Sequence, residues 1–500
     1  MRRPSLVFVL VVALLVFASP AGSTSSVPHL IRDVMAGRDL MKPTPPEQKD
    51  TTIEPSIAVN PLNPNNAVAV YQEGRVDGGG DQDNGYATTF DGGKTWAYGQ
   101  LPGLTSDVQG PWDRASDAVV AFGPNNLVYA NSLVFNEDPS GQGVRDAVAV
   151  NVSHDGGLHW DAPVYPDPNP GGQVVTNDDK NWIAVDTGKG AGHHFGRVYV
   201  VWDRITPVVI SYSDDEGQTW TPPSEVYSGQ GIGAIPLVVP NGDLAVVFAT
   251  QTQPDGGPDT ALPVEREAAP RESNPGGTDV VIAVAPGAGS VPTGTPLAFH
   301  PPVTINTYEG NAIRQQRAGG LPTADVDQKT GRIYVGWEDG RFRKDKANDA
   351  AVTWSLSSDY TQWHALKRVN PGARNDWVDH YNTMLAVGPD GSLRVGYLQR
   401  QEAASTSKMS PYVDTYYQQS LDGGKTFSAP LRVNRKHADV RFAAFSRSGA
   451  FFGDYNQLAV AGPRTYVVTC ISYRTRKGEP ASFPPQVHHQ RTWVAVVGGG

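Results

Sequence analysis

The chain has 500 residues, of which 54 are glycine and 41 are proline, a composition typical of short strands joined by many turns. Its formal net charge of −10 argues against nucleic acid or an anionic membrane as the main partner. Cys470 is the only cysteine, which excludes an internal disulfide and a cysteine-based metal site.

The first 22 residues are predicted to be a secretory signal peptide. Arg2 and Arg3 precede an apolar run over residues 6–17, and small residues follow around Ala21. The run is too short to cross a bilayer, so we expect cleavage and a secreted protein with no membrane partner; an uncleaved anchor is the alternative. Residues 23–50 are predicted to be a linker or N-terminal extension, or a strand that wraps around the body.

Residues 51–500 are predicted to form one domain built from a repeated unit. Each unit has a short apolar strand, a tight polar turn and a second apolar strand, and a third strand follows. The first and second strands are expected at 55–60 and 67–72, 118–122 and 127–134, 182–186 and 198–203, 235–239 and 244–250, 323–327 and 333–338, 382–387 and 393–399, and 457–461 and 466–473. No long window has helical spacing, so the predicted fold class is all-β.

The pattern Ser/Thr-x-Asp-x-Gly-x-x-aromatic recurs along the chain. It occurs at residues 89–96, 153–160, 213–220 and 420–427, with a shortened copy at 357–363. It predicts a hairpin turn in which Asp caps backbone N–H groups two residues on, glycine takes a positive φ and the aromatic ring packs on the sheet. The long interval before the shortened copy fits one lost copy near residues 285–287 and an insertion at about 251–279.

The pattern resembles the Asp-box, or BNR, repeat of sialidases and other secreted propeller proteins. The resemblance implies a β-propeller, in which radially repeated sheets protect their edges. Seven repeats imply seven blades; six is the alternative, because sialidases have six and the fourth and last units are the weakest. The Asp-boxes are expected in the turns between strands three and four.

In a propeller of such units, the ends of second strands and the starts of first strands share one face, opposite the Asp-box turns. Arginine recurs at the second-strand ends, as Arg75, Arg204, Arg341, Arg400 and Arg474. The first-strand starts add Glu54, Asp113, Arg114, Asp117, Asp179, Lys180, Arg317, Asp379, His380, Tyr381, Asp454 and Tyr455. Guanidinium groups around one axis suit an acidic sugar, because Arg binds a carboxylate through two parallel hydrogen bonds. For Arg204 and Arg341 the alternative is an ion pair with a neighbouring carboxylate.

The first unit resembles the first blade of sialidases, in which a Glu-x-Arg segment precedes the acid/base aspartate and the first Asp-box. Here residues 73–75 read Glu-Gly-Arg, and Asp77, Asp81 and Asp83 follow. The resemblance implies that Asp81 is the acid/base, with Asp83 and Asp77 as the next choices. The alternative for residues 81–85 is a loop, or a calcium site with oxygen ligands at alternate positions.

Residues 452–458 resemble the sialidase segment that carries the nucleophilic tyrosine, which implies that role for Tyr455. A similar pattern begins at Tyr381 one unit earlier, so a repeat feature is the alternative. The resemblance implies retaining glycoside hydrolysis, in which the tyrosine, aided by a carboxylate, attacks the anomeric carbon and an aspartic acid protonates the leaving oxygen. Glu338 or Glu309 is expected to be the tyrosine's partner.

The chain departs from sialidases at Ile53, where that family carries the first arginine of its triad, and the family's blade-four Glu and Arg have no counterpart. The leading hypothesis is a sialidase-like exo-glycosidase that acts on terminal acidic sugars of glycans. The alternatives are another carbohydrate-active propeller, such as an exo-arabinanase-like hydrolase or a lyase, and a non-catalytic propeller that binds glycan or protein. We expect a monomer without cofactor or metal, with calcium as the alternative.

Overall fold

The computed structural model describes residues 27–42, 47–77, 79–136, 145–167, 178–204, 206–250, 278–373, 376–401, 409–446 and 449–499. The predicted signal peptide and most of the predicted insertion at 251–279 lie outside these ranges. Within them the regular structure is β-strand, with 3-10 turns at Ser106–Val108, Pro124–Asn126, Ala288–Ser290 and Val440–Phe442 and no α-helix. The same ranges contain no helix with the length and apolar character of a membrane span. The described chain is therefore all-β, as predicted.

The chain begins with β1 (His29–Gly37), and the described residues then form seven successive antiparallel units. The first four are β2–β5 (Thr52–Val59, Ala67–Arg75, Asp81–Thr89, Ala97–Gln100), β6–β8 (Arg114–Phe122, Val128–Asn136, Arg145–Ser153), β9–β12 (Asp179–Val185, Val198–Asp203, Val208–Ser213, Ser224–Tyr227) and β13–β16 (Gly231–Val238, Leu244–Thr250, Asp279–Ala285, Val303–Thr307). After β17 (Gln316–Arg317) come β18–β21 (Thr323–Val326, Ile333–Asp339, Asp349–Trp354, Lys367–Arg368) and β22–β25 (Val378–Val387, Leu393–Gln401, Tyr412–Ser420, Leu431–Arg432). The short β26 (Ala438–Asp439), β27 (Ala444–Ser446) and β28 (Gly449–Phe451) precede β29–β31 (Gln457–Ala461, Arg464–Ser472, Gln490–Gly498).

The seven predicted pairs of first and second strands are confirmed, since each first strand is hydrogen-bonded antiparallel to the second strand of its unit. Several first strands begin earlier than predicted; β6, for example, begins at Arg114 rather than at 118. In β2, β6 and β9 the added residues include the charged Glu54, Asp117 and Lys180, which interrupt the apolar pattern. Within the predicted linker or extension, residues 29–37 form β1, which pairs with β31.

Three of the four turns with the full Asp pattern lie between the third and fourth strands, as expected, and the turn at 153–160 follows β8, the third strand of its unit. One correction applies to their hydrogen bonds. Asp91 Oδ1 accepts the backbone N–H groups of Lys94 at 2.8 Å and Thr95 at 3.0 Å, three and four residues on rather than two. Gly92 and Gly93 take φ values of 74° and 79°. Equivalent bonds to the Asp side chain recur at Asp155, Asp215 and Asp422.

The core lies between successive units, because the middle strands bury both faces. Val68 and Val70 of β3 pack against the second unit, whereas Ala69 and Tyr71 pack against the last unit. This two-sided burial explains why such strands are continuous apolar runs. Apolar clusters fill the space between each unit and the next, including the space between the last unit and the first.

The first strands contact one another in cyclic order. β2 contacts β6, β6 contacts β9, β9 contacts β13, β13 contacts β18, β18 contacts β22, β22 contacts β29, and β29 contacts β2. At the last unit, β1 pairs with the outer side of β31, so one sheet contains both ends of the described chain.

Several first strands carry a β-bulge at the same register near their start. The bulge residue has a positive φ: 49° at Glu54, 48° at Asp117, 41° at Lys180 and 48° at Asn382, and Gly233 has 68°. A positive φ costs a non-glycine residue on the order of 1 kcal/mol or more, so the surrounding contacts must hold it. Bulges re-aim side chains, and here they bring charged groups of neighbouring units together.

Candidate active site

Five charged side chains from several units form a network, called the central cluster: Glu54, Asp117, Lys180, Arg317 and Asp454. The first three are bulge residues of β2, β6 and β9. Lys180 Nζ lies 2.7 Å from Asp117 Oδ1, 3.5 Å from Glu54 Oε1 and 3.6 Å from Asp454 Oδ2. One ammonium group is thus shared by three carboxylates that come from three units.

Arg317 and Asp454 form the outer edge of the central cluster. Arg317 Nη2 lies 2.7 Å from Asp454 Oδ2 and its Nε lies 3.2 Å from Oδ1, and the Asp454 backbone N–H donates to Glu54 Oε1 at 2.8 Å. The Arg317 side chain is 30% exposed, whereas those of Lys180 and Glu54 are 10% and 4% exposed. A ligand that approaches from solvent would meet Arg317 first.

Burial and neighbouring charges set the protonation of the central cluster. Burial raises the pKa of Glu54 to about 7; Lys180 opposes this shift, and Asp117 and Asp454 add to it. Burial also acts to raise the pKa of Asp454, but Arg317 and Lys180 outweigh it and lower that pKa below its usual value. Glu54 is therefore a member of the cluster that can exchange a proton near neutral pH.

Tyr455, the predicted nucleophile, lies beside the central cluster. Its hydroxyl donates to the backbone oxygen of Ala118 at 3.3 Å, and Lys180 Nζ lies 5.0 Å from its ring centroid. Trp182 packs edge-on against the ring at 5.5 Å. Burial, followed by the charge of Glu54, raises the pKa of Tyr455 well above its usual value. The phenol is neutral at physiological pH and would need a base to become a nucleophile.

Asp81, the predicted acid/base, pairs with Arg75 across β4 and β3. Arg75 Nη1 lies 3.7 Å from Asp81 Oδ2. Asp81 is fully buried, and neither of its carboxylate oxygens has a hydrogen-bond partner among the residues that the structure describes. Burial raises the pKa of Asp81 to about 8, with Arg75 opposing the shift. In this environment the carboxyl group is protonated at neutral pH, which is the state that a general acid requires.

The ring of Phe451 connects the Arg75–Asp81 pair to the central cluster. The guanidinium carbon of Arg317 lies 4.3 Å from the ring centroid, and that of Arg75 lies 5.1 Å from it. Both distances are in the range of cation–π attraction. Two arginines separated widely in sequence therefore share one aromatic ring.

Arg114 adds a third guanidinium group on this side of the site. The next residue, Ala115, pairs with Asp81 in the one register contact between β4 and β6. Arg114 is buried, its Nη1 donates to the backbone oxygen of Gly79 at 2.5 Å, and its charge acts to lower the pKa of Asp81. Arg75, Arg114 and Arg317 thus lie near the region between Asp81 and the central cluster.

Two of the other predicted arginines bind carboxylates elsewhere. Arg204 Nε lies 2.7 Å from Asp178 Oδ1, and Arg204 also pairs with Asp167. Arg341 Nε lies 2.8 Å from Asp339 Oδ1, and its Nη2 lies 3.8 Å from Glu309 Oε1. Both arginines therefore form ion pairs with carboxylates, which is the alternative stated for them. The partners of Arg204 are not Asp203, the carboxylate that precedes it in sequence.

Arg400 and Arg474 occupy different environments. Arg400 is buried, and its Nη1 donates to Gln316 Oε1 at 3.2 Å and to the backbone oxygen of Arg314 at 3.1 Å. It therefore supports the segment that carries Arg317. Arg474 is exposed, and its guanidinium carbon lies 5.5 Å from the ring centroid of Phe442.

Glu338, expected to assist the tyrosine, accepts hydrogen bonds from the Tyr308 hydroxyl at 2.9 Å and from the backbone N–H of Gly320. Burial raises its pKa, and these bonds oppose the shift. Asn382, whose backbone also bonds to Glu338, donates through Nδ2 to the Gly453 oxygen at 2.6 Å. Glu338 is thus linked to the segment before Tyr455 indirectly, whereas Glu54 accepts a hydrogen bond from that segment directly.

The alternative predicted for residues 81–85 is a loop, or a calcium site with oxygen ligands at alternate positions. Asp81 and Asp83 lie in strand β4, not in a loop. Among the described residues, no group of three or more His, Cys, Asp or Glu side chains is arranged to hold a metal ion.

Sequence reasoning assigned no role to Phe451 and did not foresee that bulges bring Glu54, Asp117 and Lys180 together. A usable signal exists for the bulges, because a charged residue stands one or two residues before the predicted first strand in these three units. The contact of Phe451 with two arginines has no local signal, since it depends on a long-range pairing of β17 with β28.

No family model matches the chain, and no curated protein matches it. Among solved structures, an ulvan lyase described as a new polysaccharide lyase family is 13% identical, has a TM-score of 0.51 and aligns over 94% of this chain and 96% of its own. An intramolecular trans-sialidase from Ruminococcus gnavus is 13% identical with a TM-score of 0.43 over 70% and 90% of the two chains. An α-L-arabinofuranosidase from Fusarium graminearum is 13% identical with a TM-score of 0.41 over 78% and 97%. At these identities the likeness to the lyase concerns the fold alone.

Proposed function

We propose that the chain is a secreted, monomeric exo-glycosidase that removes a terminal acidic sugar from glycans, built on a seven-bladed propeller. The observation that carries the proposal is the shared contact of Arg75 and Arg317 with Phe451, beside Asp81 and the central cluster. Carboxylate-binding groups, a protonated acid and a tyrosine are then within one site. The proposed reaction uses no cofactor or metal ion.

The propeller is supported by the cyclic contacts of the seven first strands and by the apolar clusters between successive units. In this interpretation β1 completes the last blade as its outermost strand, so one sheet contains both ends of the described part of the chain. Such closure leaves few exposed strand edges. The first-strand starts then surround the mouth of the axis.

The substrate carboxylate is assigned to the arginines. Arg317 is the most accessible of the three guanidinium groups, and its present partner is the Asp454 carboxylate. A sugar carboxylate can occupy a similar two-point position, because a planar guanidinium matches a carboxylate. Arg75 and Arg114 lie deeper and add positive potential on the Asp81 side.

The chemistry is assigned to Tyr455, Asp81 and Glu54. Tyr455 Oη bonds to the anomeric carbon as the bond to the leaving oxygen breaks, its proton passes to Glu54, and Asp81 donates its proton to the leaving oxygen. In the second half, Asp81 takes a proton from water, the water oxygen bonds to the anomeric carbon, and Tyr455 leaves with the proton held by Glu54. The raised pKa values of Asp81, about 8, and Glu54, about 7, suit these exchanges.

The test is release of a fluorescent phenol from a sialic acid glycoside between pH 4 and 8. Tyr455→Phe should lose turnover by at least about a hundredfold, in line with the contribution of a positioned catalytic group. Tyr412→Phe, at a residue that is 43% exposed, is the matched control and should keep full activity. No release at any pH by the parent chain would reject sialic acid as the substrate.

A second candidate is a hydrolase or lyase for another sugar. The central cluster itself favours it, because Lys180 and Arg317 face three carboxylates, Glu54, Asp117 and Asp454, an excess of negative charge that does not attract an anionic sugar. Arabinan oligosaccharides, which carry no charge, should therefore be assayed in parallel. Turnover of a neutral arabinan, lost in Tyr455→Phe, would favour this candidate; binding of a glycan without turnover would favour a non-catalytic propeller.

A further inference from the structure

A cleft opens on the face that carries the first-strand starts. Its volume is about 530 Å³, and its walls come from the end of β1, the segment before β2 and the β30–β31 connection. The basic residues Arg38, Lys49, Arg476 and Arg491 line it together with two carboxylates. None of these residues belongs to the central cluster.

One of the two carboxylates is fully engaged. Asp50 accepts from Arg491 Nε at 3.0 Å and Nη2 at 2.9 Å, and His489 Nδ1 lies 2.8 Å from its Oδ2. Glu479, next to the cleft, likewise accepts from the backbone N–H groups of Thr475 and Arg476 at 3.0 and 2.9 Å. These acids are occupied by groups of the cleft wall.

The other carboxylate, Asp39, accepts the backbone N–H groups of Met41 at 2.8 Å and Thr51 at 3.2 Å. Arg38, Lys49 and Arg476 are exposed, and the carboxylates described above bond to backbone N–H groups and to the side chains of Arg491 and His489. Four basic residues against two carboxylates in the lining give a formal charge of +2, or +1 when Glu479 is counted. The cleft is therefore positive in a chain whose formal net charge is −10.

The cleft adjoins the proposed catalytic residues through one strand pair. The backbone N–H of Leu40, in the cleft wall, donates to Glu73 Oε2 at 2.5 Å. Glu73 pairs with Asp83 across β3 and β4, and Asp81 lies two residues along the same strand. Two residues of a strand span roughly 7 Å, so the cleft wall and Asp81 are close neighbours.

We propose that this cleft binds an anionic group, a carboxylate or a sulfate ester, on the second or a later sugar of an acidic glycan. The proposal rests on the proposed function, because it takes the terminal sugar to be at the central cluster. It defines the substrate class further: the preferred ligand is an oligosaccharide with repeated acidic units rather than one terminal acidic sugar on a neutral chain.

The experiment measures binding, so that it does not depend on turnover. Affinities are determined calorimetrically for a uronic acid hexasaccharide, for its carboxyl-reduced neutral counterpart and for a neutral hexasaccharide that carries sulfate esters. The variant is Lys49→Gln/Arg476→Gln. The control is Lys94→Gln/Lys425→Gln, which removes two exposed charges from the Asp-pattern turns on the opposite face.

We expect the cleft variant to lose at least about tenfold in affinity for one of the two anionic hexasaccharides, about 1.4 kcal/mol, while the control changes by less than twofold. Which anionic probe is affected identifies carboxylate or sulfate. Equal affinity in parent and cleft variant, an equal loss in the control, or no binding of either anionic probe by the parent overturns the proposal. Absence of glycoside release would reject the proposed function while this comparison of affinities stands.

Discussion

Arg317 and Asp454 form a two-point ion pair although 137 residues separate them in the chain. Strand pairing fixes the backbone of Arg317, because β17 runs parallel to β28 with Arg317 opposite Phe451. Arg400, buried, supports the same segment through Gln316. The guanidinium group most accessible to a ligand is therefore positioned before any ligand arrives, which lowers the entropy lost on binding.

Arg317→Gln should weaken binding of an acidic sugar more than it weakens catalysis. The substitution removes the charge that faces solvent but leaves Tyr455 and Asp81 in place, so we expect KM to rise at least about tenfold with kcat changed far less. The measurement is steady-state kinetics on the acidic substrate found active. Arg341→Gln, whose guanidinium binds Asp339, is the control and should leave KM unchanged. Equal effects of the two substitutions would contradict a specific role for Arg317.

Asp81→Asn should change how stability depends on pH. Burial raises the pKa of Asp81 to about 8, so between about pH 4 and pH 8 the native state holds a proton that the unfolded state has released. This contribution to stability is present below pH 4 and is lost as pH rises to 8. The Asn side chain does not titrate in this range, so the melting temperature of the variant should rise relative to that of the parent from pH 5 to pH 8. Parallel curves would show that Asp81 is ionised in the native state.

The repeat could be predicted from the sequence because it depends on local pattern. The apolar runs at 67–72 and 244–250, for instance, predicted the buried second strands, and the recurring Asp predicted the turns. The bulges at Glu54 and Lys180 lie just before the apolar runs of their first strands, so apolar spacing did not predict them. The contact of Arg317 with Phe451 depends on the pairing of β17 with β28, two segments far apart in sequence, and no local pattern encodes it.

Lys180→Met should destabilise the fold strongly. Lys180 Nζ lies between Asp117 and Glu54, and without it their buried carboxylates lose the cation that both of them contact. Removing one partner of a buried ion pair typically costs about 3–5 kcal/mol. The free energy of unfolding from denaturant titration is the measurement. Lys189→Met, at an exposed lysine, is the control and should change the free energy by less than about 0.5 kcal/mol.

A double variant separates charge from packing at this position. If the cost of Lys180→Met comes from an uncompensated carboxylate, adding Asp117→Asn should recover part of it, because the closest unpaired charge is then absent. An additive or larger loss in the double variant would assign the effect to the lost lysine side chain rather than to its charge.

Asp422→Ala tests the turn that recurs between third and fourth strands. Asp422 accepts from the Thr426 backbone N–H at 2.9 Å and hydroxyl at 2.6 Å and from the Ser420 hydroxyl at 2.7 Å. Desolvation acts to raise its pKa, but these hydrogen bonds outweigh it and lower the pKa to about 2. The turn is solvent-exposed, so we expect Asp422→Ala to lower the free energy of unfolding by about 1 kcal/mol at neutral pH, the net value of a typical hydrogen bond.

The effect of Asp422→Ala should also depend on pH. A lowered pKa contributes stability above about pH 4 that is lost as pH falls to 2, so the melting curves of parent and variant should converge over that interval. Glu225→Gln, at an exposed carboxylate on β12, serves as the control. A gap between parent and Asp422→Ala that persists unchanged at pH 2 would mean that the Asp422 side chain stabilises the turn without its negative charge.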